Sequence, residues 1–342
     1  MAKTLEFANV TLTFGTEKVL LDYFDEIVLP AFTDGTLKRT YGETTYVLNA
    51  VSLLKLGTAS EPVLAICGRF IKDTVLRRDQ VYDDATRQVR PDRRHMQSSP
   101  SAVFVLLIET HKLLYLHETP YAPEIETFRL TIHKFIEAKF FDYVHNEFLR
   151  RKSEVRDPSE ERPTKKSIRE KVGFPNLSIT TLSTESSLSV FVGKYDILSK
   201  VKVVLGPVNT EIDNDPFFAQ MRRSKNDAGS RKTTLVHENN DGLDKDAVVK
   251  QLNRAASEGN AQISLKGKVP GGAELNGDNQ NFKFKVSIPI GQAGVKRAAV
   301  RMYQEFVSLL ARGQLSLGRI DERARQEAQR FINRFRDADD EN

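Results

Sequence analysis

The chain has 342 residues, which at about 100–200 residues per domain indicates two domains. Hydrophobic residues make up 39% and charged residues 28%, enough to build a buried core, so an intrinsically disordered chain is excluded. The single cysteine excludes a disulfide framework within the chain and a cysteine zinc site. Apolar runs such as Ala102–Ile108 are far shorter than the ~20 residues that span a bilayer, and the start of the chain is charged. These features predict a soluble, cytoplasmic protein.

The first half of the chain predicts an α+β domain over residues 1–152. The expected strands are Leu5–Phe14, Thr45–Leu54, Pro62–Phe70, Ala102–Ile108 and Lys112–Leu116, the last two forming a hairpin. Leu76–Pro100, with six arginines and four aspartates, predicts a surface loop or a partly mobile segment. Its arginines are either a second candidate binding surface or paired with its own aspartates. Apolar residues at helical spacing across Glu124–Lys152 predict a long amphipathic helix that closes the domain.

Residues 153–175 are rich in charge and proline and predict a linker to a second α+β domain at 176–342. The expected strands there are Leu177–Leu182, Leu188–Val192, Ile197–Leu205, Gln262–Val269 and Asn281–Ile288. The expected helices are a short one capped at Asp213–Pro216, then Asp244–Ala256, Ala293–Arg312 and Asp321–Arg336. The fold class is therefore α+β, with antiparallel sheets in both domains and a long amphipathic helix closing each.

The most informative pattern is a basic hairpin in the second domain. Gln262–Val269 and Asn281–Ile288 both alternate apolar and polar residues, and Pro270–Gln280 would connect them. Because side chains at i and i+2 share one face of a strand, Lys266 and Lys268 would lie about 7 Å apart. Lys283 and Lys285 would do the same on the partner strand. Four lysines facing outward match the spacing of phosphates along a duplex.

Other basic residues would extend this surface. They are Arg222, Arg223, Lys225, Arg231 and Lys232 in the Arg222–Lys232 loop, and Lys250 and Arg254 on the following helix. No aromatic side chain is interleaved on the basic face, so stacking on single-stranded bases is not favoured. The pattern predicts a protein that binds double-stranded DNA through its backbone, without sequence readout and without a cofactor or a metal.

Two alternatives remain open. Glu211, Asp213 and Asp215 are the tightest group of carboxylates and could hold a divalent ion in a metal-dependent nuclease. The charged segments could instead make the chain a protein-interaction subunit. Catalysis has little support, since neither a glycine-rich phosphate loop nor a nucleophile motif is present.

Four segments occur in a characteristic order: Ser101–Leu116, Ile179–Leu205, Ile263–Lys268 (ISLKGK) and the helix Val295–Leu310. With this order of elements, residues 40–315 resemble the RexA family of phage-exclusion proteins, to which the KwaB component of the Kiwa antiphage system is related. The resemblance implies a homodimeric, sequence-nonspecific duplex-DNA binder that acts as a sensor in phage exclusion or defence. It further implies a membrane effector or phage protein as partner, and it assigns DNA contact to Lys266 and Lys268. Leu76–Pro100 and the helix after Leu315 have no counterpart in that family.

Overall fold

The computed structural model describes residues 2–58, 60–154, 162–291 and 293–340. Its strands are β1 (Ala2–Phe14), β2 (Lys18–Val19), β3 (Lys38–Tyr41), β4 (Thr44–Gly57), β5 (Pro62–Asp83), β6 (Gln88–Ser98), β7 (Ser101–Leu107), β8 (Lys112–His117), β9 (Pro175–Thr181), β10 (Ile197–Leu205), β11 (Glu211–Ile212), β12 (Thr233–Glu238), β13 (Gln262–Lys268), β14 (Glu274–Asp278), β15 (Lys285–Pro289) and β16 (Arg319–Ile320). Its helices are α1 (Leu29–Thr33), α2 (Ile125–Glu154), α3 (Lys165–Val172), α4 (Glu185–Val192), α5 (Pro216–Asp227), α6 (Lys245–Glu258), α7 (Val295–Ala311) and α8 (Glu322–Asp340). Helices combined with antiparallel sheets confirm the α+β class. Within the described ranges, no helix has both the length and the apolar content needed to cross a bilayer.

The larger sheet is organised around β1. Its strand order is β15-β1-β8-β7-β5-β4-β3, with β2 and β9 also paired to β1 and β6 paired to β5. Strand β8 occupies one edge of β1, while β15 and β9 follow one another along the other edge, against residues 2–6 and 8–14 of β1. The first strand of the chain is therefore completed by two strands from the second half.

Both faces of this sheet are covered, because consecutive side chains of a strand point to opposite faces. Val10 and Leu12 of β1 lie in an apolar cluster with Phe128 and Phe140 of α2. Phe7 lies in the cluster on the other face, with Ala299 and Met302 of α7. The central strand β7 is consequently buried over its whole length, which explains its uninterrupted apolar sequence.

The predicted domain boundary at residues 153–175 does not assign the two sheets to the two halves of the chain, because β9 and β15 of the second half belong to the larger sheet. Helix α7, expected to close the second domain, packs on the sheet built mainly from the first half. Part of the predicted linker is helix α3, whose Ile168 and Val172 are buried in the same apolar cluster as α2. Residues 155–161 of that linker lie outside the described residues. The apolar faces of β9, β15 and α7 decide this arrangement, because each requires a partner from the first half.

A smaller antiparallel sheet has the strand order β12-β10-β13-β14. Helices α4 and α6 cover its inner face, where Val201, Val203 and Leu265 are buried with Leu188 and Leu252. The expected strand at 188–192 was wrong, because this segment belongs to α4, which begins after a Thr184 cap. Helix α6 begins after Asp244 as predicted, and the Asp244 side chain accepts a hydrogen bond from Ala247 N.

The predicted basic hairpin was also wrong. Strand β13 pairs with β14, which lies inside the expected connection 270–280, whereas β15 pairs with β1 in the larger sheet. The turn that joins β13 to β14 contains Gly271 and Gly272, both with positive φ, so it reverses the chain much earlier than expected. Lys266 and Lys268 therefore lie in a different sheet from Lys285.

Leu76–Pro100 is not a loop, since most of it forms a two-stranded ribbon. The distal part of β5 pairs with β6 from Thr74–Ser98 out to Asp83–Gln88. Strand β6 pairs with no other described strand. Most residues of the ribbon are exposed on both faces, so it projects from the sheet.

Candidate nucleic-acid interface

Four lysines share the outer face of the smaller sheet, and we name them the lysine face: Lys200, Lys202, Lys266 and Lys268. Lys200 of β10 lies directly opposite Lys266 of β13. Lys202 lies opposite Ser264, the neighbour of Lys266 on that face. Since strands are about 4.8 Å apart and residues i and i+2 about 7 Å apart, the backbone positions of the four lysines lie on a compact grid. The sequence predicted Lys283 and Lys285 as the second lysine pair beside Lys266 and Lys268. In the structure Lys200 and Lys202 of β10 occupy that place.

The lysine face is bordered by carboxylates on its two edge strands. Lys200 lies 2.9 Å from Glu238 of β12, and Lys266 lies 3.4 Å from Glu274 of β14. Both ion pairs are well exposed, and such pairs contribute only about 0–1 kcal/mol, so a phosphate can replace the carboxylate. Among the described residues, Lys202 and Lys268 have no carboxylate oxygen within 4.0 Å.

A shallow groove of about 320 Å³ runs over this face. Lys200, Lys202 and Lys266 line it together with Asn276 and Asp278. The amide of Asn276 adds a hydrogen-bond donor, whereas Asp278 repels an anion at the β14 edge. The face can therefore accept a phosphate backbone most readily along β10 and β13.

Lys283 and Lys285, which the sequence placed on the basic hairpin, lie beside the larger sheet instead. Lys283 Nζ is 2.9 Å from Glu6 Oε2, and its side chain is only 10% exposed. Lys285 Nζ is 3.3 Å from Glu6 Oε1, although half of that side chain is exposed. Burial alone would raise the pKa of Glu6, but its bonds to His117 and Lys283 lower it to about 2. Lys283 thus compensates a buried carboxylate and is not available to a ligand.

The segment Arg222–Lys232, predicted to be a loop, is mainly the second half of helix α5. Its basic side chains are therefore divided between the buried and the exposed side of that helix. Arg222 is buried, where its Nε donates to Asp213 Oδ2 at 2.6 Å and its other nitrogens donate to the carbonyls of Gly206 and Asn260. Lys225 is also buried, which lowers its pKa, and it donates to the Ser230 carbonyl. The predicted DNA contacts of Arg222 and Lys225 are therefore wrong, because both side chains are buried.

The remaining predicted cations are exposed but do not share the lysine face. Arg223 lies on α5, Arg231 and Lys232 precede β12, and Lys250 and Arg254 lie on α6. Because α6 covers the inner face of the smaller sheet, Lys250 and Arg254 are separated from the lysine face by the sheet itself. Arg254 lies 3.9 Å from Asp215.

The three carboxylates of the nuclease alternative do not converge. Glu211 is buried with its Oε1 3.3 Å from His111 Nδ1, and Asp213 is bound by Arg222 and by Asn260 Nδ2. Asp215 caps α5 by accepting a hydrogen bond from Phe217 N. Each carboxylate thus stabilises the fold locally. Glu211 lies beside the turn that precedes β8, and Asp213 is bonded to Asn260, which precedes β13, so the segment lies where the two sheets meet.

A buried lysine lies at the centre of this junction. Lys112 donates to Asn9 Oδ1 at 2.8 Å and to the Glu258 carbonyl at 3.0 Å. Burial lowers the pKa of Lys112 and raises the pKa of Glu258. Burial would also raise the pKa of Glu211, but His111 and Lys112 lower it to about 2. Such a buried charged network holds the two sheets in one relative position.

Among the described residues, one group of three side chains has metal-ligand spacing: Glu6, His117 and Glu124. Lys283 already lies within 2.9 Å of Glu6 and 3.5 Å of Glu124. An ammonium group in that position supplies the positive charge that a cation would bring. The cluster is therefore explained as an ion-pair network.

Sequence reasoning missed Lys200 and Lys202, although the strand that carries them was predicted at the correct bounds. The signal was the alternation in the middle of Ile197–Leu205, where Lys200 and Lys202 stand on either side of buried Val201 and buried Val203 follows. No known family model matches this chain. A comparison with curated proteins likewise finds no match.

Proposed function

We propose that this chain is a sequence-nonspecific double-stranded DNA-binding protein that acts as a sensor in phage exclusion or antiphage defence. The observation that carries the proposal is the pairing of β10 with β13, which presents four lysines on one exposed face. The resemblance of Ile263–Lys268 to the RexA family supports the same strand as the DNA contact. On this proposal the protein acts by binding duplex DNA, and it then passes a signal to a membrane effector or a phage protein.

The mode of binding follows from the chemistry of the face. Lysine ammonium groups contact phosphates as point charges and read no base sequence. The face carries no aromatic side chain between the lysines, so a duplex backbone fits it better than unstacked single-stranded bases. Binding should therefore weaken steeply as salt increases.

The test replaces the two lysines that have no carboxylate partner, in the double variant Lys202→Gln/Lys268→Gln. Each lost phosphate contact lowers the slope of log affinity against log salt by about 0.9, so the slope should fall by about 1.8. The affinity for unrelated duplexes should fall alike, by one to two orders of magnitude at about 0.1 M salt. Fluorescence anisotropy with two duplexes of different sequence measures both quantities.

The matched control is Lys250→Gln/Arg254→Gln, which removes the same charge from the helix behind the sheet. This control should keep nearly all of the affinity of the parent, and urea unfolding should show both variants folded. An unchanged salt slope in the lysine-face variant, or an equal loss in the control, would contradict the assignment.

A further inference from the structure

A cavity of about 650 Å³ lies behind the smaller sheet, on the side away from the lysine face. One wall is α4 with residues 184 and 194 at its two ends, and a second wall is the part of α6 that contains Asn253 and Ser257. Residues 281–284, which lead into β15, and residues 313–316, which follow α7, form the remaining walls. Cavities that hold small ligands usually measure about 300–1,000 Å³. The cavity therefore has the size of a small-molecule site.

Hydrogen bonds fix the walls of this cavity relative to one another. Asn253 Nδ2 donates to Glu185 Oε2 at 2.8 Å, which joins α6 to the start of α4. The hydroxyl groups of Ser257 and Ser316 lie 3.0 Å apart, which joins α6 to the segment after α7. Because its walls are bonded to one another, the cavity is formed before a ligand enters it, as is usual for small-molecule sites.

The middle of the cavity is apolar. Val190 of α4 lines it and is 67% exposed, so a ligand can cover this side chain. The rings of Phe191 and Phe282 contact each other with centroids 5.7 Å apart, and Phe284 completes this aromatic wall. Aromatic and aliphatic side chains in this arrangement favour a flat, partly apolar group such as a heterocyclic ring.

Uncharged hydrogen-bonding side chains also line the cavity. Asn253 bonds Glu185 through its Nδ2, which leaves its Oδ1 as an acceptor. Asn281 accepts a bond from Asp278 N through its Oδ1, which leaves its Nδ2 as a donor. Gln314 adds a further amide. A hydrocarbon chain would leave these groups without partners, whereas a heterocyclic base or a sugar offers both donors and acceptors.

One cation of the lining is available to an anionic group. Lys194 lies just after α4, with its Nζ 4.9 Å from the Phe191 ring centroid. Among the described residues, no carboxylate oxygen lies within 4.0 Å of this ammonium group. Because Asn253 is bonded to Glu185 at the start of α4, Lys194 and Asn253 lie at opposite ends of the cavity, roughly 13 Å apart along the helix axis. The cavity is thus long enough for a ring at one end and a phosphate at the other.

The other charged side chains of the lining already have partners. Arg254 lies 3.9 Å from Asp215, and Lys283 lies 2.9 Å from Glu6. The carboxylate of Glu185 accepts its bond from α6 at the end of the cavity that is remote from the unpaired ammonium group. An anionic group is therefore favoured at the end of the cavity where that ammonium group lies.

We propose that this cavity binds a mononucleotide, with its phosphate on Lys194 and its base towards Asn253 and Gln314. The sugar and the ring cover Val190 and the aromatic wall between these two ends. A phosphate, a sugar and a base require an unpaired cation, an apolar strip and paired donors and acceptors in a row, which is the order found along α4. A nucleotide in the cavity and a duplex on the lysine face lie on opposite sides of the smaller sheet and do not compete. This inference does not rest on the proposed DNA binding.

Isothermal titration calorimetry tests the site with AMP, GMP, CMP and UMP in turn, and then with the four nucleosides and inorganic phosphate. At least one nucleotide should bind with a Kd below about 1 mM. Its nucleoside should bind at least about tenfold more weakly, because it lacks the charged group that bonds the ammonium. Inorganic phosphate alone should give no measurable binding, since it covers none of the apolar wall.

Lys194→Gln should lower the affinity for that nucleotide at least about tenfold and leave the affinity for the nucleoside unchanged. The matched control is Lys165→Gln, which removes a lysine that lies over the Phe148 ring outside the cavity. This control should bind the nucleotide as the parent does.

Val190→Trp fills the cavity with a side chain from an exposed position, so the fold should persist and the binding of the nucleotide should be lost. Val300→Trp, at an exposed valine of α7 outside the cavity, is its control and should bind as the parent does. Circular dichroism melting checks that both variants are folded.

The absence of binding by all four nucleotides at about 1 mM, or equal affinities of the parent and Lys194→Gln, would overturn the proposal. Loss of nucleotide binding in Lys202→Gln/Lys268→Gln would also overturn it, because the nucleotide would then lie on the lysine face. Inorganic phosphate that binds as tightly as the nucleotide would remove the role of the base. Nucleotide binding that depends on Lys194, in a chain that binds no duplex, would support this site and contradict the proposed function alone.

Discussion

Replacing Arg222 with methionine separates a structural role of this residue from the DNA contact that its position in a basic segment suggests. Arg222 donates to the Asp213 carboxylate and to the carbonyls of Gly206 and Asn260, and it is buried. Methionine fills a similar volume but leaves Asp213, only 5% exposed, without its cation. Removing one partner of a buried ion pair destabilises a protein by about 3–5 kcal/mol. That is a large share of the ~5–15 kcal/mol available to a typical domain.

Urea unfolding followed by circular dichroism measures this change, with Arg223→Met as the control. Arg223 is the next residue of α5 and is exposed, so its replacement should change the free energy of unfolding by less than about 0.5 kcal/mol. In the double variant Arg222→Met/Asp213→Asn the loss should be smaller than in Arg222→Met alone, because no buried charge is left unpaired. A stable Arg222→Met protein that has lost duplex binding would refute this reasoning.

Two further predictions concern the two sheets. Glu6→Gln should destabilise the protein at pH 7 by about 3 kcal/mol, because a pKa lowered from 4.5 to about 2 adds stability that is present above pH 4.5 and lost as the pH falls towards 2. The difference in unfolding free energy between the parent and Glu6→Gln should therefore shrink below pH 4.5, and a constant difference would contradict the assignment. Gly277→Ala should destabilise by about 1–3 kcal/mol, because its Cβ would lie 2.2 Å from the buried Phe191 ring. Gly35→Ala, with open space around the added Cβ, is the control, and equal melting temperatures for the two variants would place β14 outside the smaller sheet.

Local periodicity predicted those elements whose pattern is set by one apolar face. The long helix α2 and the strand β10 were predicted within two residues of their observed ends, because one face of each packs against a core. Strand β13 was predicted for the same reason, and its alternation correctly placed Lys266 and Lys268 on the exposed side.

Strand partners could not be predicted in the same way, because pairing depends on contacts distant in sequence. Residues 281–288 alternate as a hairpin strand should, and nothing in that alternation shows that β15 pairs with β1, about 280 residues earlier. A buried ion pair likewise cannot be recognised from the sequence alone. Lys283 resembles a surface lysine until Glu6 is placed beside it. The ribbon was missed because exposed charge on both faces removes the apolar alternation that identifies a strand.

The basic residues of this chain therefore have two physical roles, and burial of the side chain determines which role each residue has. Arg222, Lys112 and Lys283 each lie against a buried carboxylate or carbonyl. Lys112 joins β8 to the end of α6, Lys283 joins the segment before β15 to β1, and Arg222 holds Asp213 beside the smaller sheet. Lys202 and Lys268 have exposed ammonium groups and no carboxylate partner among the described residues. A net charge of +5 is the sum of both roles and so does not measure affinity for a polyanion. The exposed lysines alone can exchange water and counterions for phosphates, so the salt dependence of binding should report their number and not the number of basic residues in the sequence.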